Sequence, residues 1–167
     1  MGIEDLRVMI ERASRYAEKA VVDSGGIATM WHAVTEDGRD VILPPPPKCD
    51  KDITAFLVRA VLQNIGAVRV VFIDECWTIR FEGALAEMAL ADIESWLAEH
   101  GTLEDYEGRS EIVSFTAEDI DGCMLTGMRE ITRHNDGTMT LGPLQIDRPE
   151  YSEGRFVGML EPKGTRQ

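Results

Sequence analysis

The stretch Val68-Arg69-Val70-Val71-Phe72-Ile73 constrains this 167-residue chain more than any other. Apolar side chains occupy both parities of it, so neither side of an extended strand built from it can face water. It predicts a central strand with a packed layer on each face. The chain must therefore supply helices to cover a sheet and further strands to flank this one.

The helices are readable. Ile3, Leu6, Ile10, Ala13 and Ala17 recur at steps of three and four with charges opposite, which predicts an amphipathic helix over 3–20. Ser24-Gly25-Gly26 ends it. Asp50 or Asp52 is a suitable N-cap for a second helix. Its expected buried stripe is Ile53, Phe56, Leu57, Ala60 and Val61, with Gly66 as the stop. A third helix is expected over 83–99, with Leu85, Met88, Ala89, Ile93, Trp96 and Leu97 on one side.

The strands come in hairpins. Ile27 to Val34, Asp37-Gly38 and Val41 to Leu43 make one, and Asn135-Asp136-Gly137 makes another. Glu111 to Phe115, Cys123 to Arg133 and Thr138 to Ile146 read as strands, with Gly142-Pro143 breaking or bulging the last. Pro44 to Pro47 is a stiff connector. A Pro-rich docking ligand is the other reading, but the basic flank typical of such ligands is missing. The expected fold is α+β: one domain over residues 1–149, with a single mixed or mainly antiparallel sheet of five to six strands and two to three helices. Residues 150–167, rich in Gly, Pro and charge, read as a poorly ordered tail.

Charge narrows the function. The net charge is −13, and the segment from Asp74 to Asp121 holds 14 acids against only Arg80 and Arg109. A polyanion is repelled by such a surface, so nucleic acid and anionic membranes are not expected partners. The longest stretch without Asp, Glu, Lys or Arg is the twelve residues from Ser24 to Thr35, too short to span a bilayer. The start, Met-Gly-Ile-Glu-Asp-Leu-Arg, has no apolar signal region, and Cys49, Cys76 and Cys123 show no metal spacing. A cytoplasmic protein with reduced thiols is expected.

Two acidic groups are candidates for chemistry. Asp74 and Glu75 follow the central strand, in a pattern resembling the magnesium-holding strand of nucleotide hydrolases. The phosphate loop G-x-x-x-x-G-K-[ST] that such sites need is absent. Glu118, Asp119 and Asp121 precede Gly122, which also suits a turn or half of a calcium loop. If the two strands run parallel, Asp74, Glu75, Glu118, Asp119 and Asp121 converge and could hold Mg²⁺ or Mn²⁺ to activate water. If the strands are antiparallel, the groups part. No cofactor is expected outside that reading. Arg129 and Arg133 share a strand face and form a candidate anion clamp, although pairing with cross-strand acids is the commoner use. His32, His100 and His134 show no zinc spacing, and Cys76 beside Glu75 is a poor nucleophile.

The motifs Asp52-Ile53-Thr54-Ala55-Phe56, Val70-Val71-Phe72-Ile73-Asp74-Glu75-Cys76-Trp77, Ala117-Glu118-Asp119-Ile120-Asp121-Gly122, Arg129-Glu130-Ile131 and Leu141-Gly142-Pro143-Leu144 occur in an order that resembles a group of small bacterial and phage-associated proteins of no assigned activity. The resemblance spans residues 28 to 146, with 83 to 107 longer than in that group. It implies a bacterial or phage setting and assigns no catalytic residue. The expected function is a non-catalytic interaction protein, with an acidic face over 74–121 for a basic protein partner or a second copy. The alternative is a divalent-metal hydrolase on the acidic residues.

Overall fold

The computed structural model describes residues 2–79, 86–101, 105–106, 109–149 and 156–160. The elements run α1 (Ile3–Ser24), β1 (Met30–Thr35), β2 (Asp40–Leu43), α2 (Lys51–Asn64), β3 (Ala67–Thr78), α3 (Ala86–His100), β4 (Ser110–Asp119), β5 (Met124–Arg133), β6 (Met139–Leu141) and β7 (Gln145–Asp147). The sheet order is β2-β1-β3-β4-β5-β6, with β7 also on β5. Every pairing is antiparallel, so this is an α+β fold with helices on an antiparallel sheet. Among the described residues no helix is long and apolar enough to cross a membrane.

β3 is central and both its faces are covered. Val71 and Ile73 point into a layer shared with Leu6, Met9, Ile10, Ala13 and Ala17 of α1. Val70 and Phe72 point the other way, into a layer with Trp31, Ala33, Val58 and Leu62. The apolar run at both parities is thus accounted for, one parity per layer. Gly127 lets α1 approach: a Cβ there would lie 2.7 Å from Ile10 Cγ2.

β6 and β7 are one edge strand interrupted at Gly142-Pro143, as those residues predict. Ile131 pairs with Leu141 and Met128 with Gln145, so one extra residue is accommodated between them. The carbonyls of Leu141 and Gly142 that the interruption frees accept hydrogen bonds from Arg129 at 3.3 and 2.6 Å.

Two expectations change, and one alternative that the sequence leaves open is decided. The stripe Ile53, Phe56, Leu57, Ala60 and Val61 is not the buried face of α2; Thr54, Ala55, Val58 and Leu62 are. Asp50 caps the helix as expected, accepting from the N–H groups of Asp52 and Ile53. The helix is apolar on two adjacent stripes, and the one with smaller residues goes inward, where Trp31 and Phe72 already fill the layer. The helix between β3 and β4 does not make a parallel crossover, since the two strands pair antiparallel over ten residues from Arg69↔Asp119 to Thr78↔Ser110. Within the expected tail, residues 156–160 dock on the α2 face, where Phe156 packs on Trp31 and Phe72 at centroid distances of 5.3 and 4.7 Å and Met159 is buried. Positions 150–155 and 161–167 lie outside the described residues, as do 80–85 and the side chains of Leu85, Met88 and Ala89. Ile93 is buried as expected, Trp96 is half-buried and Leu97 is exposed.

Candidate functional site

The antiparallel register separates the two acidic groups. Asp74 lies opposite Ser114 and Glu75 opposite Val113, whereas Glu118 lies opposite Val70 and Asp119 opposite Arg69. Four strand positions from Ser114 to Glu118 amount to about 14 Å. Alternation also sends Asp74 and Glu118 to the α2 side and Glu75 and Asp119 to the α1 side. The convergence that a shared metal site requires is therefore missing. Among the described residues no group of three or more His, Cys, Asp or Glu side chains is placed to hold a metal ion.

Four of the five acids have a local task instead. Glu118 is buried, and its carboxylate accepts hydrogen bonds from the backbone N–H groups of Gly158, Met159 and Leu160. Burial pushes its pKa up, against the three N–H donors and Arg59, which favour the charged form. Asp119 is buried too. Its Oδ1 accepts from Asp121 N at 3.0 Å and Cys123 N at 2.9 Å, which makes the turn that 118–122 predicts. Asp121 is exposed on that turn. Asp74 accepts from the Thr29 hydroxyl at 2.6 Å.

Glu75 meets two residues from elsewhere in the chain. The Arg133 guanidinium bonds both Glu75 and Glu111, with Nε 2.8 Å from Glu111 Oε2. Burial and then the nearby Glu111 carboxyl raise the pKa of Glu75, while the hydrogen bond from Arg133 lowers that of Glu111. Glu75 and Glu111 border an open polar cavity of about 350 Å³ that is also lined by Asp74, Cys76 and Trp77. Burial raises the Cys76 thiol pKa, which keeps it a weak nucleophile.

The two arginines do share a face, but they do not form a clamp. Arg129 is buried and its guanidinium is occupied by the carbonyls of Leu141 and Gly142, by Ser14 Oγ and by Glu18. Arg133 is occupied by Glu75 and Glu111. Pairing with acids is the use both arginines have.

The outer side of α2 carries apolar residues that the fold does not bury. Ile53, Phe56, Leu57 and Val61 are 49, 69, 40 and 41% exposed, with Ala60 exposed among them. Their spacing of three, four and eight makes them one continuous stripe. Beside it Leu43, Pro44, Pro46, Leu57, Val58 and Val61 line a groove of about 120 Å³. The prolines thus form one wall of an apolar groove next to a protruding phenylalanine. The signal in the sequence was that α2 carries more apolar positions than one buried face can use: Ala55, Val58 and Leu62 repeat at helical spacing as well.

A second feature escaped the sequence. His32 is buried at the α1 side of β1, with Nε2 2.7 Å from Asp40 Oδ1 on β2. Its partner lies eight residues away, across a hairpin.

No protein-family model matches the chain, and no curated protein and no solved structure matches it either.

Proposed function

We propose that the chain is a non-catalytic interaction protein whose contact surface is the outer face of α2 with the adjoining proline groove. The exposure of Phe56, with Ile53, Leu57 and Val61 beside it, carries this reading. Isolated apolar residues on a surface need no explanation, but a continuous stripe along a helix whose other side already faces the core does. Helix faces of this pattern are anchors for partner proteins.

Charge supports a basic partner over a second copy. Two chains at −13 repel each other, whereas a basic protein is attracted to the same field. The expected acidic face is redistributed by the fold. Glu118 and Asp119 are internal and Glu75 and Glu111 are tied to Arg133, which leaves Asp92, Glu94, Glu99, Asp105 and Asp121 at the surface. These steer association, and the α2 stripe anchors it. Nucleic acid is disfavoured by the same charge. Three unpaired cysteines fit a reducing cytoplasm, and the motif order keeps a bacterial or phage setting as part of the reading. The separated acids remove the geometric premise of a metal hydrolase built on both groups.

The test is capture of partners by the wild-type chain and by Phe56→Ser/Val61→Ser at low and high salt, followed by purification of the captured protein. A basic partner lost in the variant and weakened by salt supports the reading. Equal retention by both baits overturns it.

A further inference from the structure

The sheet face beneath α1 is unevenly covered. α1 lies along β3, β4, β5 and β6. Among the described residues, the β1–β2 end of that face is roofed by one flank of the helix, through Arg12, Ala13 and Tyr16. There a cavity of about 300 Å³ opens between Arg12, Ala13 and Tyr16 of α1 and Met30, His32 and Ile42 of the hairpin, with Ile73 of β3 in its lining. Ala13 and Ile73 are buried, and Ile42 and Tyr16 are largely exposed at the mouth. A mainly apolar cavity of this size with a few convergent polar groups is the usual form of a small-molecule site.

The polar groups are unequal in kind. Asp40 is engaged by His32 at 2.7 Å and holds that ring in place. Arg12 Nη2 approaches Asp40 Oδ2 only to 3.6 Å, a charge contact longer than a hydrogen bond. That contact engages Nη2 and the guanidinium carries further N–H donors, while Tyr16, also in the lining, carries a hydroxyl. An apolar floor with donors at its rim suits a ligand with an apolar body and an accepting, anionic head.

We propose that this cavity binds a small carboxylic acid with a short aliphatic body. The chain lies against Ala13, Met30, Ile42 and Ile73, and the carboxylate meets Arg12 and Tyr16. This site is separate from the α2 face, which lies on the opposite side of the sheet, so its fate and that of the interaction reading are independent.

The experiment titrates octanoate, octanol and octylamine by calorimetry, with methyl NMR of Met30, Ile42 and Ile73 to locate binding. The expected result is octanoate bound more tightly than octanol or octylamine, with shifts at those methyl groups. Arg12→Gln weakens octanoate by about tenfold or more and leaves octanol unchanged. Ile42→Trp, at an exposed edge-strand position, closes the mouth and removes binding of both. Octanoate that fails to bind, binds without shifting those methyl groups, or binds no better than octanol overturns the proposal. A dipeptide such as acetyl-Leu-Leu binding more tightly than octanoate overturns the free acid as ligand and assigns the site to chain ends.

Discussion

The Glu118 carboxylate accepts a hydrogen bond at 2.9 Å from the backbone N–H of Leu160, 42 positions further along the chain. The same carboxylate takes the N–H groups of Gly158 and Met159. A side chain that reads as a metal ligand or turn residue is in fact the fastener of residues 156–160, and it brings Phe156 onto Trp31 and Phe72.

Glu118→Ala leaves three backbone donors without their acceptor. We expect a loss of about 2–4 kcal/mol in urea unfolding. Hydrogen exchange at 158–160 accelerates more than at β3. Unchanged protection at Met159 and Leu160 contradicts the assignment.

The pH dependence has a definite sign. Burial raises the folded pKa of Glu118 above its ordinary value of 4.5. The folded chain therefore holds this proton more tightly than the unfolded chain does. The stability it contributes is complete below the unfolded value and is lost as pH rises through the folded value. Relative to Glu118→Gln, the wild type loses stability as pH climbs above 4.5. Parallel stability curves for the two proteins, measured by urea unfolding from acid to neutral pH, contradict this.

Arg129 closes the gap that Gly142-Pro143 opens in the edge strand. Arg129→Ala strands the Leu141 and Gly142 carbonyls and leaves Glu18 and Ser14 without this partner. The expected cost is about 3 kcal/mol, with early exchange at β6 and β7. A change below about 0.5 kcal/mol shows that the arginine is dispensable there.

Gly127 is small because Ile10 crosses it. Gly127→Ala places a methyl 2.7 Å from Ile10 Cγ2 and 3.4 Å from Phe115 Cδ2. Overpacking of this kind costs about 1–3 kcal/mol. Adding Ile10→Leu removes the branching methyl and restores part of that loss, so the two changes are non-additive. Additive effects in thermal unfolding contradict the contact.

What the sequence shows and hides follows from how local each signal is. The α1 stripe is local and unambiguous: Leu6, Ile10, Ala13 and Ala17 are all buried as their spacing requires. The run Val68 to Ile73 announces two layers, and there are two. The orientation of α2 was ambiguous because its two apolar stripes are offset by a single residue, about 100° around the helix. The direction of β4 relative to β3 was open because a helix-containing connection of that length permits either sense. The task of Glu118 was hidden because its partners are backbone N–H groups, which every residue but proline carries.

In the proposed reading, the outer side of α2 is spare for folding and needed for association. Leu62→Ser, on the inner side, should cost about 3 kcal/mol or more. Phe56→Ser, on the outer side, should stay within about 0.5 kcal/mol of wild type. The deciding measurement is the affinity of the purified captured partner for wild type and for Phe56→Ser, made on protein shown to be equally folded. A loss of about tenfold or more is expected, as for an aromatic anchor. Equal affinity in the two proteins contradicts that reading.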